Sequence, residues 1–114
     1  MDVRLKRAYE PAATADGRRV LVDRLWPRGV SRSEARLDEW ARDLAPSREL
    51  RRWFGHDPAR FEEFRRRYTR ELVEQEGKLE ELRRRAREGT LTLVYAARDT
   101  EHNDAVVLAE LLRR

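Results

Sequence analysis

The clearest pattern in the chain is a pair of apolar β runs set far apart. Val20, Leu21 and Val22 are consecutive and mostly β-branched, which predicts a strand buried on both faces, running from about Arg19 to Arg24. Leu91 to Ala97 repeats that pattern, interrupted only by Thr92, and predicts a second central strand. Near the start, Val3 and Leu5 alternate with Arg4 and Lys6, with Ala8 extending the series; this predicts a strand that is half exposed or at an edge.

Between these runs the period changes to that of a helix. Leu37, Trp40, Ala41 and Leu44 fall at i, i+3, i+4 and i+7, with Ser31 or Ser33 available as a cap and Pro46 as a stop. Ser47 caps a short helix carrying Leu50, Trp53 and Phe54, closed by Gly55. Asp57-Pro58 is an N-cap acid followed by proline at the first helical position, and Phe61, Phe64, Tyr68 and Leu72 then keep one apolar stripe. Gly77 separates this helix from a second segment with Leu79, Leu82 and Ala86, which Gly89 stops. After the last strand, Asp99 or Thr100 caps a final helix striped by Val107, Leu108, Leu111 and Leu112.

The segment Tyr9 to Gly17, with Pro11 and Asp16-Gly17 as breakers, is a loop. It is short for a parallel crossover, which usually needs a dozen or more residues. The first two strands are therefore either joined by a terse crossover or paired antiparallel.

At 114 residues the chain predicts one domain, residues 1–114, of α/β class: a small, mainly parallel sheet of about three strands covered by five or six helices, with Rossmann-like layering. So small a sheet needs covering helices, and the expected state is a monomer or homodimer. Charged residues make up 42% of the chain, yet both signs are interspersed and the net charge is +4, which describes a solvated globular surface better than a nucleic-acid tail. Only Lys6 and Lys78 are lysine; the other basic residues are arginine, whose fork suits phosphate and carboxylate. The chain has no cysteine, which excludes thiol catalysis, disulfides and cysteine metal sites. No apolar run reaches membrane-spanning length and no signal-peptide core is visible, so a cytoplasmic protein with no membrane partner is expected.

Each central strand ends in a polar cluster: Asp23, Arg24, Trp26 and Arg28, with Pro27 and Gly29 fixing a turn, and Arg98, Asp99, His102 and Asn103. In open α/β sheets ligands bind beyond the carboxyl ends of the strands. If the two strands lie side by side and parallel, both clusters face one crevice. Arg24, Arg28 and Arg98 are the candidate anion clamps, or else partners of Asp23, Asp99 and helix-end carbonyls. His102, with Asp23 or Asp99, is the candidate proton carrier; Asp23 serves more readily as an anchor for Arg24 or a helix end. Trp26 and Trp53 offer faces for a planar ligand, or simply packing. Tyr9 offers a hydroxyl, Asn103 continues its helix stripe toward the sheet end, and His56 sits in the loop between two helix signals. No HxH, HxxxH or HExxH spacing supports a metal, and the absence of GxGxxG, GxxxxGK[ST] and GxSxG leaves dinucleotide, P-loop and α/β-hydrolase chemistry unsupported, with the cofactor unknown. The runs Arg65-Arg66-Arg67 and Arg83-Arg84-Arg85 suggest nucleic acid, but on a helix each run points around most of the circumference and has glutamates in pairing range.

Four segments resemble the YeaO-like family, a domain of unknown function (488). They are Val20-Leu21-Val22-Asp23-Arg24-Leu25-Trp26-Pro27-Arg28-Gly29, Ala45-Pro46-Ser47, Trp53-Phe54-Gly55-His56-Asp57-Pro58, and Leu93 to Asp99 with Glu101-His102-Asn103. The resemblance covers essentially the whole length. It implies a compact prokaryotic α/β domain with the first two strands parallel, and it brings no activity, substrate or catalytic residue. The expected function is binding of, or catalysis on, an anionic small molecule such as a nucleotide or phosphorylated metabolite at the strand ends. The alternatives are a nucleic-acid or regulatory module using the arginine-rich helices, and a non-catalytic partner module.

Overall fold

The computed structural model describes residues 1–114. Its sheet has four strands in the order β1-β4-β2-β3: β1 Asp2–Arg7, β2 Arg18–Leu21, β3 Glu39–Trp40 and β4 Thr90–Tyr95. Every pairing is parallel, with Val3 opposite Leu91, Leu21 opposite Val94 and Leu21 also opposite Trp40. The α-helices are α1 Arg32–Ala35, α2 Arg48–Phe54, α3 Phe61–Leu72, α4 Glu76–Glu88 and α5 Asp104–Leu112. The α/β class and the parallel sheet are as the hydrophobic pattern predicts. β1 is at an edge and parallel to β2, but the two do not pair, because the last strand lies between them.

The strand count exceeds the expected three by β3, and this corrects the reading of the stretch from the Ser31 or Ser33 cap to Pro46 as one helix. The chain leaves α1 through Arg36 in the left-handed region, φ 45°. It then runs extended beside β2: Asp38 N–H donates to Arg19 O at 2.9 Å, Ala41 N–H donates to Leu21 O at 2.8 Å, and the Asp38 carboxylate accepts from Arg19 N–H at 2.8 Å. β2 would otherwise present unpaired backbone groups on that side, and satisfying them outweighs local helical spacing.

Alternation along the strands sorts side chains to two faces. Val3, Val20, Val22, Leu91, Leu93 and Tyr95 join the large core under the helices. The opposite face is closed by loops rather than by long helices: Ala8, Leu21 and Val94 pack there against Trp26, Leu37 and Trp40. Asp16 and Arg19 are also buried on that side. The α3 stripe of Phe61, Phe64, Tyr68 and Leu72 is fully inside, and Tyr68 O–H donates to Leu44 O. Phe64 stacks on Phe54 with ring centroids 4.3 Å apart, tying α2 to α3. The break before α4 falls at Val73–Gln75, a 3₁₀ turn, so Gly77 lies inside α4. The cap of α5 is Asn103, not Asp99 or Thr100: its Oδ1 accepts from Val106 N–H at 3.0 Å. No helix is long and apolar enough to cross a membrane.

Candidate functional site

The carboxyl ends of β2 and β4 finish side by side. Val22 N–H donates to Val94 O at 3.1 Å, and one step further Ala96 N–H donates to the Asp23 carboxylate at 2.9 Å. The two polar clusters consequently open into one cavity of about 560 Å³. Its rim carries Arg24, Arg28, Arg51, His56 and Arg98; its wall includes Trp26, Phe54 and Phe64; Asp23, Asp99, Asn103 and Asp104 close it near the strand ends. A cleft of this size, part aromatic with convergent polar groups, has the form of a small-molecule site.

The predicted side chains divide by what already holds them. Arg28 and Arg98 are exposed and form no ion pair. Arg24 is half-buried and donates through Nε to Pro46 O at 3.2 Å. Trp26 faces the cavity but donates its indole N–H to Val30 O at 2.6 Å and meets Trp40 edge-on at 5.4 Å. Asn103 is spent on structure, donating to Asp99 O at 2.8 Å as it caps α5. His56 stands at the rim with φ 56°, its ring 6.2 Å from Phe54.

His102, Trp53 and Tyr9 lie outside the lining. His102 turns its ring edge onto Phe61 at 5.1 Å, and its Nδ1 is 2.9 Å from the Asp99 carboxylate. Asp99 also accepts from the N–H groups of Glu101 and His102, and these bonds hold its carboxyl below the usual range, the Glu101 N–H contributing most. Trp53 lies under the guanidinium groups of Arg67 at 4.3 Å and Arg60 at 5.5 Å. Tyr9 is exposed and donates its hydroxyl to Arg28 O at 3.0 Å, bracing the turn that presents Arg28.

Two charged lining residues escape the sequence reading. Arg51 sits on an α2 face that no motif marks. Asp104 is the first residue of α5 and lies near the Asp23 carboxylate. Burial pushes the Asp104 carboxyl well above the usual carboxylate range, and the nearby charge of Asp23 pushes the same way. Backbone N–H groups at the helix start pull against this, Ala105 N–H donating to Asp104 Oδ1 at 2.8 Å. An acid whose folded pKa is raised contributes stability that is full below its unfolded pKa and is lost as pH rises through the folded value. Asp104→Asn keeps the acceptor for Ala105 and a donor toward Asp23 with no ionisable group. It is expected to raise the melting temperature at pH 8, by about 4–8 °C for each kcal/mol relieved, and to change it little near pH 4. A variant melting below the parent at pH 8 overturns this account.

The arginine-rich helices present a different surface. Arg65 pairs with Glu62 and Glu110, Arg66 and Arg67 with Glu63, Arg83 with Glu76 and Glu80, and Arg84 with Glu88. Their charge is largely consumed within the molecule.

Residues 2–114 match a family model described as the inactive DUF488-N3 subclade. The chain is 43% identical over 113 residues to the uncharacterized protein YeaO of Escherichia coli (strain K12), covering 99% of this chain and 98% of that protein. It is 46% identical over 110 residues to the uncharacterized protein Rv3073c of Mycobacterium tuberculosis (strain H37Rv), and equally to the uncharacterized protein Mb3100c of Mycobacterium bovis, covering 96% of this chain and 92% of each. No solved structure matches. On the strength of a family match across nearly every residue and of relatives that share its length, the chain belongs to the YeaO-like DUF488 family.

Proposed function

We propose that the protein binds an anionic small molecule, a nucleotide or other phosphorylated metabolite, in the cavity at the strand ends, and that it holds this ligand without transforming it. The observation that carries the reading is the pair Arg28 and Arg98, exposed, unpaired, and opposite an aromatic wall in one cavity. Guanidinium forks bind phosphate or carboxylate bidentately, and the aromatic side accommodates the rest of the ligand.

Binding without turnover is supported by how the proton carriers are employed. Asp23 accepts from Ala96 N–H and faces Asp104, while His102 packs on Phe61 and bonds Asp99. The description of the matching family model as an inactive subclade supports the same reading.

The test is a thermal-shift titration with AMP as the probe. The parent is expected to gain about 2.7 kcal/mol at a ligand concentration 100 times Kd. Arg28→Ala/Arg98→Ala is expected to lose that gain while its ligand-free stability stays within about 0.5 kcal/mol, as for exposed substitutions. Stabilisation retained by the double variant, or absent from the parent, rejects the reading. Conversion of AMP to any product rejects the claim of binding without turnover.

A further inference from the structure

Beside the cavity lies a second groove, of about 450 Å³, lined by Arg24, Leu25, Arg42, Arg48, Arg51 and Arg52. None of these five arginines makes an ion pair with a carboxylate. On α3 and α4, by contrast, Arg65, Arg66, Arg67, Arg83 and Arg84 pair with glutamates three or four residues away. Arg48, Arg51 and Arg52 stand at i, i+3 and i+4 on α2, one above the other on a single face. Like charges so placed repel, and a bound polyanion relieves that repulsion.

Two of the five are already oriented. The Arg42 guanidinium lies over the Trp40 ring at 3.8 Å from its centroid. Arg24 is anchored through Nε alone, on Pro46 O, which leaves both terminal nitrogens to donate. Arg24, Leu25 and Arg51 line the groove and the cavity alike, so the two are adjacent.

We propose that the groove is a polyphosphate subsite and that groove and cavity together accept one ligand, a nucleoside polyphosphate, with its phosphates along the arginines and its nucleoside in the aromatic cavity. The identity of the whole ligand rests on the reading of the cavity; the groove stands on its own charges. A single phosphate would leave most of the five guanidiniums unmatched, whereas a triphosphate offers more oxygens and more charge to match them.

Titration calorimetry with AMP, ATP, inorganic tripolyphosphate and a short single-stranded RNA tests this. ATP is expected to bind the parent at least about tenfold more tightly than AMP, since each added charged hydrogen bond is worth more than 1.4 kcal/mol. Arg48→Ala/Arg52→Ala, checked for folding by circular dichroism, is expected to lose that advantage and to lose tripolyphosphate binding. Equal affinity for ATP and AMP, or a double variant that keeps the advantage, overturns the proposal. Tripolyphosphate binding that survives in Arg28→Ala/Arg98→Ala supports the groove even where AMP binding in the cavity fails. RNA binding more tightly than ATP, with affinity falling steeply with salt, overturns the small-ligand assignment.

Discussion

Replacing Asp16 with alanine is expected to lower the free energy of unfolding by about 3–5 kcal/mol, because it strands a buried positive charge. The Asp16 carboxylate accepts from Arg19 Nη1 at 2.7 Å, from Lys6 Nζ at 3.1 Å and from Ala13 N–H at 2.9 Å, and its backbone oxygen accepts from Thr92 Oγ1 at 2.7 Å. One residue thus joins β1, β2, β4 and the loop that crosses them. The Arg19 side chain is only 4% exposed, and without Asp16 its guanidinium keeps a single recorded partner, Ala35 O. Lys6 is less enclosed and can turn to water. Adding Arg19→Met to Asp16→Ala should therefore recover part of the loss, since no deeply buried charge is then left uncompensated.

The same residue sets an acid limit on stability. Burial alone pushes the Asp16 carboxyl up, but the Ala13 N–H, Lys6 and Arg19 together outweigh it and leave it below the ordinary 3.8. A carboxyl depressed in this way contributes stability that is present above its unfolded pKa and disappears as pH falls through the folded one. Urea denaturation at pH 7 and at pH 3 reads both effects. A loss under about 1 kcal/mol at pH 7 would place Asp16 with ordinary surface pairs.

Gly17→Ala is expected to cost about 3 kcal/mol or more, combining a left-handed backbone penalty of about 1–2 kcal/mol with overpacking of about 1–3 kcal/mol. Gly17 has φ 61°, and a Cβ built on it would sit 2.4 Å from Thr90 O and 2.8 Å from Thr90 Cβ. Neither atom can retreat easily, because Thr90 begins β4 and its hydroxyl donates to the Asp2 carboxylate at 2.8 Å. Gly29→Ala is the internal comparison: φ is 81°, but nothing lies within 4 Å of the added carbon. It should show the backbone penalty alone. Equal losses for the two variants in urea denaturation would mean that the approach to Thr90 contributes nothing.

The central strands and the pairing of their ends are legible from residues 20–29 and 91–103, because a run apolar at successive positions has no stable place except between two covered faces. What covers the second face is not legible. It is closed by single contacts such as Ala8, Trp26, Leu37 and Trp40, which follow no period. β3 carries no signal of its own either. Two residues cannot display alternation, and Leu37, Trp40, Ala41 and Leu44 imitate a helix while serving a strand and a turn.

At the site, the strand-end arginines announce themselves by following apolar runs. His102 is the subtler case: Asn103 points inward as a cap, and its neighbour is thereby turned toward Phe61. Asp104 gives no warning because an acid in a first helical turn is ordinary. Its burial, and the arrival of Asp23 from the end of β2, make it unusual.

The position of β4 between β1 and β2 has a consequence for synthesis. Of the two interior strands, β4 is made last. While a ribosome is still delivering residues before Thr90, β1 and β2 have no mutual hydrogen bonds to fall back on, and each waits with an open side toward the same vacant slot. Cooperative collapse is therefore expected only once β4 has emerged, and until then the apolar Val20–Val22 segment stays open to non-native pairing.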